Sequence, residues 1–367
     1  MRAGLRSLLA PIVTASAIAG CAAGAGEAFL TGKGLGDRAY SSGRYEEAAN
    51  AYEQAGTKAL RAGDRAEAMY LAGSSFWRAR AWDRARAMFE RLMAELPKTD
   101  RARRAHFDLA DLEIEAGHVD RGYAILLDAA EKDPTHGLAH RAIERWVDRL
   151  AQGGGDALAW LKEAQPRLAA TELDETIRYL TAGRLEKAGD LAASRDTYLA
   201  CAERHPYPQG SLFDDALWRA SLLDETLGRP DAAIDDLRRM LSVREPSTFV
   251  GSYERPRFSA AQFRIAVLYR DKVRDDASAR REFHRLYADH TTSVLRDDAL
   301  WEEATLAKKD GDTRSACSLV VTLTEAFPGS RYAACTRSLC ATANLASADA
   351  GACHPYVLRG KSEDGGD

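Results

Sequence analysis

The chain has 367 residues, 51 of them basic and 55 acidic, and a formal net charge of −4 at pH 7. Without a basic excess, it is not expected to bind nucleic acid through the phosphates. Its length exceeds that of a typical single domain, yet an even composition rich in Ala, Leu, Arg and Glu favours an elongated array of repeats over two globular units. Alternation of apolar and polar residues is nearly absent, so we predict an all-α fold.

Residues 1–21 combine a short basic start, an apolar run from Leu8 to Ala19 and, after one glycine, Cys21. The run has about a dozen residues, too few for a helix that crosses a bilayer of about 30 Å, which indicates a cleaved leader. The pattern resembles a bacterial lipoprotein signal peptide. This resemblance implies that a lipid is attached to Cys21 and that residues 1–20 are removed; the alternative is an ordinary secretory leader with a chance cysteine.

Lipid on Cys21 would make the membrane one partner of the chain, since several acyl chains on one residue hold a protein on a membrane surface. Ala22, rather than an aspartate, follows the cysteine. In the sorting of Gram-negative lipoproteins this implies the outer membrane, with the chain on its periplasmic face. We expect residues 21–35 to be a flexible tether. Loss of the leader, which holds two arginines and no acid, would change the net charge from −4 to −6.

A pattern recurs about every 34 to 40 residues: a small residue, then Gly-x-x-x-x-Ala, an aromatic residue or Leu four residues later, and often a proline. The clearest copy consists of Gly73, Phe76, Trp82, Ala85, Phe89, Leu92 and Pro97. It resembles the tetratricopeptide repeat. The resemblance implies a right-handed superhelical solenoid of about eight helix pairs over residues 36–345, with a degenerate pair at 136–174. Two segments break the pattern: a long loop at 246–259, which is either a partner contact or an insertion over the solenoid, and a C-terminal tail at 346–367, which we expect to be disordered beyond Cys353.

Three segments make the resemblance more specific. Residues 214–218 and 297–301 both have the sequence Asp-Asp-Ala-Leu-Trp, and residues 327–332 read Phe-Pro-Gly-Ser-Arg-Tyr. Such helix starts and junctions are similar to those of the coordinator protein of the Tol-Pal system and of the repeat lipoprotein of the outer-membrane β-barrel assembly machinery. This similarity implies a periplasmic repeat protein that takes part in assembly of the cell envelope.

Position 5 of the first helix of each repeat usually points into the concave groove, and most of these positions hold an aromatic residue. They are Tyr70, Phe107, Tyr179, Trp218, Arg264 and Trp301. Rigid aromatic side chains dominate protein recognition, so these residues are candidates for binding an envelope protein or peptide. The alternative is that the rings pack between successive helices as ordinary core. Acids at position 2, namely Glu67, Asp215 and Asp298, would frame the rings.

Four of the six cysteines lie in the last fifty residues or so: Cys317, Cys335, Cys340 and Cys353. In an oxidising periplasm they predict two disulfides at the C-terminal end. Of the three possible pairings we favour Cys317 with Cys335 and Cys340 with Cys353, with a metal site as the rival hypothesis. Cys201 is expected to be a small buried core residue.

Motifs for catalysis are missing from the sequence: it has no HExxH motif and no Gly-x-Ser-x-Gly elbow. His136 and His140, four residues apart, are expected to be surface histidines rather than metal ligands. We therefore predict a protein that is not an enzyme and needs no cofactor or metal. The alternative function is an accessory role in peptidoglycan metabolism, by binding glycan or positioning a hydrolase.

Overall fold

The structure is a computed structural model that describes residues 24–244, 256–341 and 353–358. The signal peptide over residues 1–20, the lipidation site at Cys21, most of the 246–259 loop and most of the C-terminal tail lie outside these residues. Among the helices described, none is long and apolar enough to cross a membrane.

Helices make up nearly all the regular structure of the described residues. They are α1 Glu27–Ser41, α2 Tyr45–Thr57, α3 Ala62–Arg78, α4 Trp82–Glu95, α5 Asp100–Glu115, α6 Val119–Lys132, α7 Ala139–Gln152, α8 Ala157–Leu168, α9 Asp174–Lys187, α10 Leu191–Arg204, α11 Phe213–Thr226, α12 Pro230–Leu241, α13 Pro256–Leu268, α14 Asp276–Asp289, α15 Arg296–Lys309, α16 Thr313–Ala326 and the short α17 Pro355–Leu358. A π-helical turn, Tyr269–Val273, extends α13, and a 3-10 helix, Ala333–Ser338, follows α16.

The chain forms two compact units, one up to Ala142 and one from Ile143. In the first unit α1 to α6 form three helix pairs, and each helix packs against the next. In the second unit α9 to α16 form four pairs in the same way. The degenerate pair is α7 and α8, which meet through Trp146 and Trp160 with ring centroids 6.1 Å apart. The predicted fold class, an all-α array of about eight tetratricopeptide-like helix pairs, is confirmed.

Small residues allow the two helices of a pair to approach closely. A Cβ atom on Gly73 of α3 would lie 2.6 Å from the ring of Phe89 on α4, and one on Gly36 of α1 would lie 2.5 Å from Tyr52. Ala85, at the facing position of α4, is fully buried. Larger residues here would push the helices apart and open voids around the rings, so the repeat pattern follows from packing.

In the second unit, the second helix of each pair from α10 onward begins where a side chain or a proline satisfies its first turn. The Asp275 carboxylate caps α14 by accepting a hydrogen bond from the Ser278 N–H at 2.9 Å. Asp190 caps α10 and Asp312 caps α16 in the same manner. Pro230 is the first residue of α12, where no backbone N–H is needed.

The tether predicted for residues 21–35 is wrong from Glu27 onward, because α1 begins there. Phe29 is buried against Ala55 and Ala68, so the start of α1 completes the first pair. Gly32 lies close enough to Ala55 that a Cβ atom would come within 3.0 Å of it, and the glycine thus serves helix contact. The predicted loop also ends earlier than expected, because α13 already begins at Pro256.

All four C-terminal cysteines form disulfides, but the favoured pairing is wrong. Cys317 is bonded to Cys340 and Cys335 to Cys353, with Cα–Cα distances of 5.0 and 4.7 Å. The physical reason is that a 3-10 helix, rather than another long helix, follows α16. It brings Cys340 back to α16 and leaves Cys335 facing the last described segment.

The last described segment, residues 353–358, packs on the end of the second unit. Val357 is buried in a cluster with Leu300, Val320 and Leu339. The sequence placed this segment in an unstructured tail, but an apolar side chain and a disulfide hold it on the core. Cys201 is a free cysteine with no exposed surface, as predicted, and burial raises the pKa of its thiol to about 12.

Candidate functional site

An acid, an arginine and an aromatic ring meet where the first helix of one repeat faces the first helix of the next. In the first unit Arg101 of α5 forms an ion pair with Glu67 of α3, with Nη2 3.0 Å from Oε1. Its guanidinium carbon lies 4.6 Å from the centroid of the Tyr70 ring. The arginine therefore covers the ring that position 5 supplies, and it links two repeats.

The second unit repeats this arrangement at Asp215 and has a variant of it at Asp298, where the ring is the neighbour of the arginine. Arg257 of α13 lies 2.5 Å from the carboxylate of Asp215 and 5.9 Å from the centroid of the Trp218 ring. Farther along, Arg331 pairs with Asp298 and lies 4.8 Å from the ring of Tyr332. The predicted framing acids are thus engaged by arginines that come later in the chain, and at Glu67 and Asp215 these arginines join two repeats.

Two of the six position-5 residues belong to the core. Phe107 is 1% exposed and stacks on His136 with ring centroids 4.5 Å apart. Trp301 is 6% exposed and stacks on Tyr332 at 4.9 Å with ring planes 14° apart. For these two residues the alternative of ordinary core holds and the groove prediction is wrong, because a ring that comes later in the chain covers each of them. His136 is likewise a packing partner of Phe107 instead of a free surface histidine.

Three other position-5 rings are half-buried. The hydroxyl of Tyr70 donates a hydrogen bond to Asp108 at 2.7 Å, and burial together with this carboxylate raises the pKa of Tyr70 to about 12. Tyr179 packs edge-on against Tyr198 with centroids 5.2 Å apart, and burial raises its pKa too. Trp218 borders the same cluster as Tyr179. These side chains keep an exposed edge on the first-helix face.

The sixth candidate, Arg264, is held by an ion pair. Its guanidinium binds both carboxylate oxygens of Glu225, and one of these contacts, Nη2 to Oε2, is 2.7 Å long. Because Glu225 lies on α11 and Arg264 on α13, this pair also joins successive first helices. Arg264 therefore has fewer unengaged N–H groups for a ligand than an arginine without an ion pair.

A cavity that sequence analysis did not single out lies in the first unit. It has a volume of about 630 Å³ and is lined by Trp77, Arg78, Arg80, Trp82 and Glu115. The residues come from the end of α3, the turn that follows, the start of α4 and the end of α5. One sequence signal could have found it: Arg80 occupies the turn position where most other repeats have a glycine.

Within the described ranges, no group of three or more His, Cys, Asp or Glu side chains could hold a metal ion. Buried acids there serve helix contacts. Asp174 lies 3.0 Å from Arg178 and 2.6 Å from Arg204, and its pKa stays low: burial opposes the charged form, but hydrogen bonds from these arginines and His205 outweigh it. Glu175 accepts hydrogen bonds from the backbone N–H groups of residues 211 and 212 at 3.1 and 2.8 Å.

Comparison with known proteins supports the repeat assignment for one helix pair. Residues 67–99 match the tetratricopeptide repeat family model, and they cover most of α3 and all of α4. No curated protein matches the chain.

Several solved structures of repeat proteins are similar to the chain. PilF of Pseudomonas aeruginosa is 20% identical, with coverage of 63% of this chain and 94% of PilF and a TM-score of 0.37. A tetratricopeptide repeat-containing protein from Cytophaga hutchinsonii is 14% identical, with coverage of 74% and 99% and a TM-score of 0.40. PilW, a type IV pilus biogenesis factor, is 15% identical, with coverage of 72% and 94% and a TM-score of 0.32.

Proposed function

We propose that the chain is a non-enzymatic scaffold that binds a protein or peptide partner through the first-helix faces of its repeats. The observation that carries this proposal is the set of half-buried aromatic side chains, Tyr70 in the first unit and Tyr179 and Trp218 in the second, on helices held rigidly by ion pairs between repeats. Rings that are already fixed lose little conformational entropy when a partner covers them.

The surrounding chemistry supports binding over catalysis. Asp108, the buried acid beside Tyr70, accepts hydrogen bonds from Tyr70 at 2.7 Å and from Arg104 at 2.9 Å. Asp174 and Glu175 are engaged by arginines and by backbone N–H groups. These acids hold helices in register. They are not arranged around a nucleophile or a metal, which a hydrolytic site would need.

We further propose that lipid on Cys21 anchors the scaffold at the periplasmic face of the outer membrane and that its process is assembly of the cell envelope. Support comes from residues 1–21 and from the Asp-Asp-Ala-Leu-Trp helix starts, which are similar to those of the Tol-Pal coordinator and of the β-barrel assembly lipoprotein. Both Asp-Asp pairs stand at the start of first helices, Asp214 and Asp215 in α11 and Asp297 and Asp298 in α15.

Site-specific photo-crosslinking in living cells tests partner binding. A photo-reactive amino acid replaces Trp218, whose ring borders the proposed face, and in a control strain it replaces Val294, which is 88% exposed in the turn between α14 and α15. We expect a discrete protein adduct from position 218 and none from position 294. Equal adducts from both positions, or none from position 218, would contradict the proposal.

Sedimentation with purified sacculi separates this function from the peptidoglycan alternative. The protein without residues 1–21 is expected to stay in the supernatant, because the proposed ligand is a protein. Co-sedimentation that N-acetylglucosamine oligomers reverse would instead assign the aromatic residues to glycan.

A further inference from the structure

The cavity between Trp77 and Trp82 combines an unusual backbone with unengaged charge. Arg80 has φ +58°, in the left-handed region. The corresponding turn position holds glycine in most other repeats, at residues 43, 117, 189, 228 and 311, all with positive φ. Glycine adopts this conformation without a steric penalty, whereas an L-amino acid with a side chain does not. An arginine here works against the stability of the turn.

No interaction within the repeat explains this arginine. Among the residues that the structure describes, neither Arg80 nor its neighbour Arg78 forms an ion pair or a hydrogen bond through its side chain, and both are exposed. Nearby arginines are engaged: Arg84 donates to Asn50 at 2.7 Å, and Arg86 donates to Asp83 at 2.6 Å. A strained residue whose side chain serves no internal contact points to a ligand outside the repeat.

The other residues of the cavity restrict the chemical class of ligand that it can bind. The indole N–H of Trp77 donates to the Glu115 carboxylate at 2.8 Å, so the one acid of the cavity is already engaged. Two guanidinium groups against one carboxylate leave the cavity positive, which disfavours a cation between the tryptophans. Carboxylates can form bidentate ion pairs with the two unengaged guanidinium groups, and the two indole rings can pack against an apolar side chain. A glycan would need more acceptors than this cavity offers.

We infer that this cavity binds an acidic segment of a partner protein, with an aromatic or aliphatic side chain between Trp77 and Trp82 and flanking carboxylates on Arg78 and Arg80. The inference rests on the proposed role in partner binding and adds a site and a ligand class to it. It places the specificity for acidic partners in the turn after α3, at the edge of the first-helix face.

Titration with short peptides tests the inference. The probes are a capped, dye-labelled Asp-Glu-Phe-Glu-Asp peptide, its Asn-Gln-Phe-Gln-Asn counterpart and a version with serine in place of phenylalanine. Fluorescence anisotropy with the chain lacking residues 1–21 measures their affinities. We expect the acidic aromatic peptide to bind at least about tenfold more tightly than either counterpart, and salt to weaken its binding.

The chain offers a matched pair of variants. Arg80→Gly removes the charge and also relieves the strained turn, so its melting temperature should rise while its affinity for the acidic peptide falls about tenfold. Arg274 is the second arginine with positive φ, at 64°, and lies in the second unit. Arg274→Gly should raise the melting temperature similarly and leave peptide affinity unchanged. Arg78→Ala should weaken binding about as much as Arg80→Gly.

Equal affinity in Arg80→Gly and Arg274→Gly would overturn the inference, as would equal binding of the acidic and amide peptides or no binding at millimolar concentration. Competition by N-acetylglucosamine oligomers would overturn it in favour of a glycan. Each of these results concerns the cavity alone. An adduct from position 218 together with any of them would leave the proposed scaffold function in place and remove only this site.

Discussion

At the scale of single residues, the side chains at position 5 differ in what covers them. His136 covers Phe107, Tyr332 covers Trp301, and an arginine lies above Trp218. A ring stacked on another ring inside the core loses its contact with water, whereas a ring beneath a guanidinium keeps an exposed edge. The same sequence position therefore serves packing in some repeats and is open to a partner in others.

Asp236 makes the stability of the second unit dependent on pH. It is 8% exposed on α12 and lies next to Asp224 of α11, which has no exposed surface. Burial, followed by the charge of Asp224, raises the pKa of Asp236 to about 7. Arg195 donates to Asp224 at 2.9 Å, and Arg229 and Arg239 also face the pair, but they do not restore the ordinary pKa.

The sign of the pH effect follows from the two states. An aspartate in the unfolded chain loses its proton near pH 4, whereas Asp236 in the folded chain keeps it up to about pH 7. Between these values the folded state binds more protons, so the free energy of unfolding falls as pH rises. We expect Asp236→Asn to flatten this decline and to be more stable than the wild type above pH 7.

Urea unfolding at several pH values between 4 and 8 measures this effect, and Asp235→Asn is the control, because Asp235 is the exposed neighbour on the same helix. The control should keep the pH dependence of the wild type. If Asp236→Asn declines with pH as steeply as Asp235→Asn does, Asp236 is not the group responsible.

At the scale of helices and their contacts, ion pairs join several first helices to the next, such as α3 to α5, α9 to α11 and α11 to α13, and their contributions differ with burial. The Glu67 and Arg101 side chains are 29% and 42% exposed, so their pair contributes about 0.2–1 kcal/mol. Asp298 is 8% exposed and also accepts a hydrogen bond from Tyr332. Loss of Asp298 would leave the buried Tyr332 hydroxyl with the hydrogen bond that Arg331 donates to it but without an acceptor for its own proton, which costs about 1–3 kcal/mol.

The disulfides stabilise the end of the second unit, where the last long helix has no following helix pair among the described residues. Cys335 and Cys353 are 18 residues apart, and they hold Val357 on the cluster that contains Leu339. We expect replacement of both cysteines by serine to lower the free energy of unfolding of this unit by about 3 kcal/mol. Urea unfolding measures the loss.

Limited proteolysis gives a second, local measure of that change. Cleavage near residues 353–358 should become faster in the double serine variant, while the Cys317–Cys340 disulfide remains as an internal control. Unchanged stability and unchanged cleavage would show that packing of Val357 alone holds the segment.

The helix pairs could be predicted from the sequence because their pattern is local. Gly73 and Ala85 predict close contact of α3 and α4 from residues twelve apart, and the structure confirms it. The burial of Trp301 could not be predicted in this way, because Tyr332, which stacks on it, lies in an irregular segment after α16. The prediction of the disulfide pairing was wrong for the same reason, because the pairing depends on the path of the 3-10 helix, which has no repeat pattern.

The tryptophan cavity shows a different limit of sequence analysis. Trp82 matches the repeat and therefore drew attention as a packing residue, and Arg80 differs from the glycine of other repeats. Only the fold shows that these residues meet Trp77 and Glu115 around one cavity. A departure from a repeat pattern was the available signal, and its meaning required the turn geometry.

At the scale of the whole molecule, the proposed membrane anchor rests on Cys21. Cys21→Ser is expected to prevent lipid attachment, so the protein should leave the outer-membrane fraction or accumulate with its leader uncleaved. Cell fractionation and the apparent mass of the chain measure this change. Cys201→Ser is the control, because Cys201 is a buried core residue and no acceptor of lipid. Unchanged fractionation of Cys21→Ser would show that another feature attaches the protein.

The proposed scaffold function depends on a division of roles between open and covered rings. Tyr179 and Trp218 border one cluster on neighbouring first helices, whereas Trp301 is stacked inside the core on Tyr332. Loss of Trp301 should lower the free energy of unfolding by about 3–5 kcal/mol, as for other buried aromatic residues. Loss of the half-buried Trp218 should cost less stability and more binding.

Photo-crosslinking from position 179 tests most directly whether the half-buried rings bind the partner. A photo-reactive amino acid at this position is combined with Trp218→Ala or with Trp301→Ala, and the yields of partner adduct are compared. We expect the adduct to be lost in Trp218→Ala, whereas Trp301→Ala should retain it at a temperature where this variant remains folded. Retention of the adduct in Trp218→Ala, or its loss in folded Trp301→Ala, would contradict the assignment of the half-buried rings to partner binding.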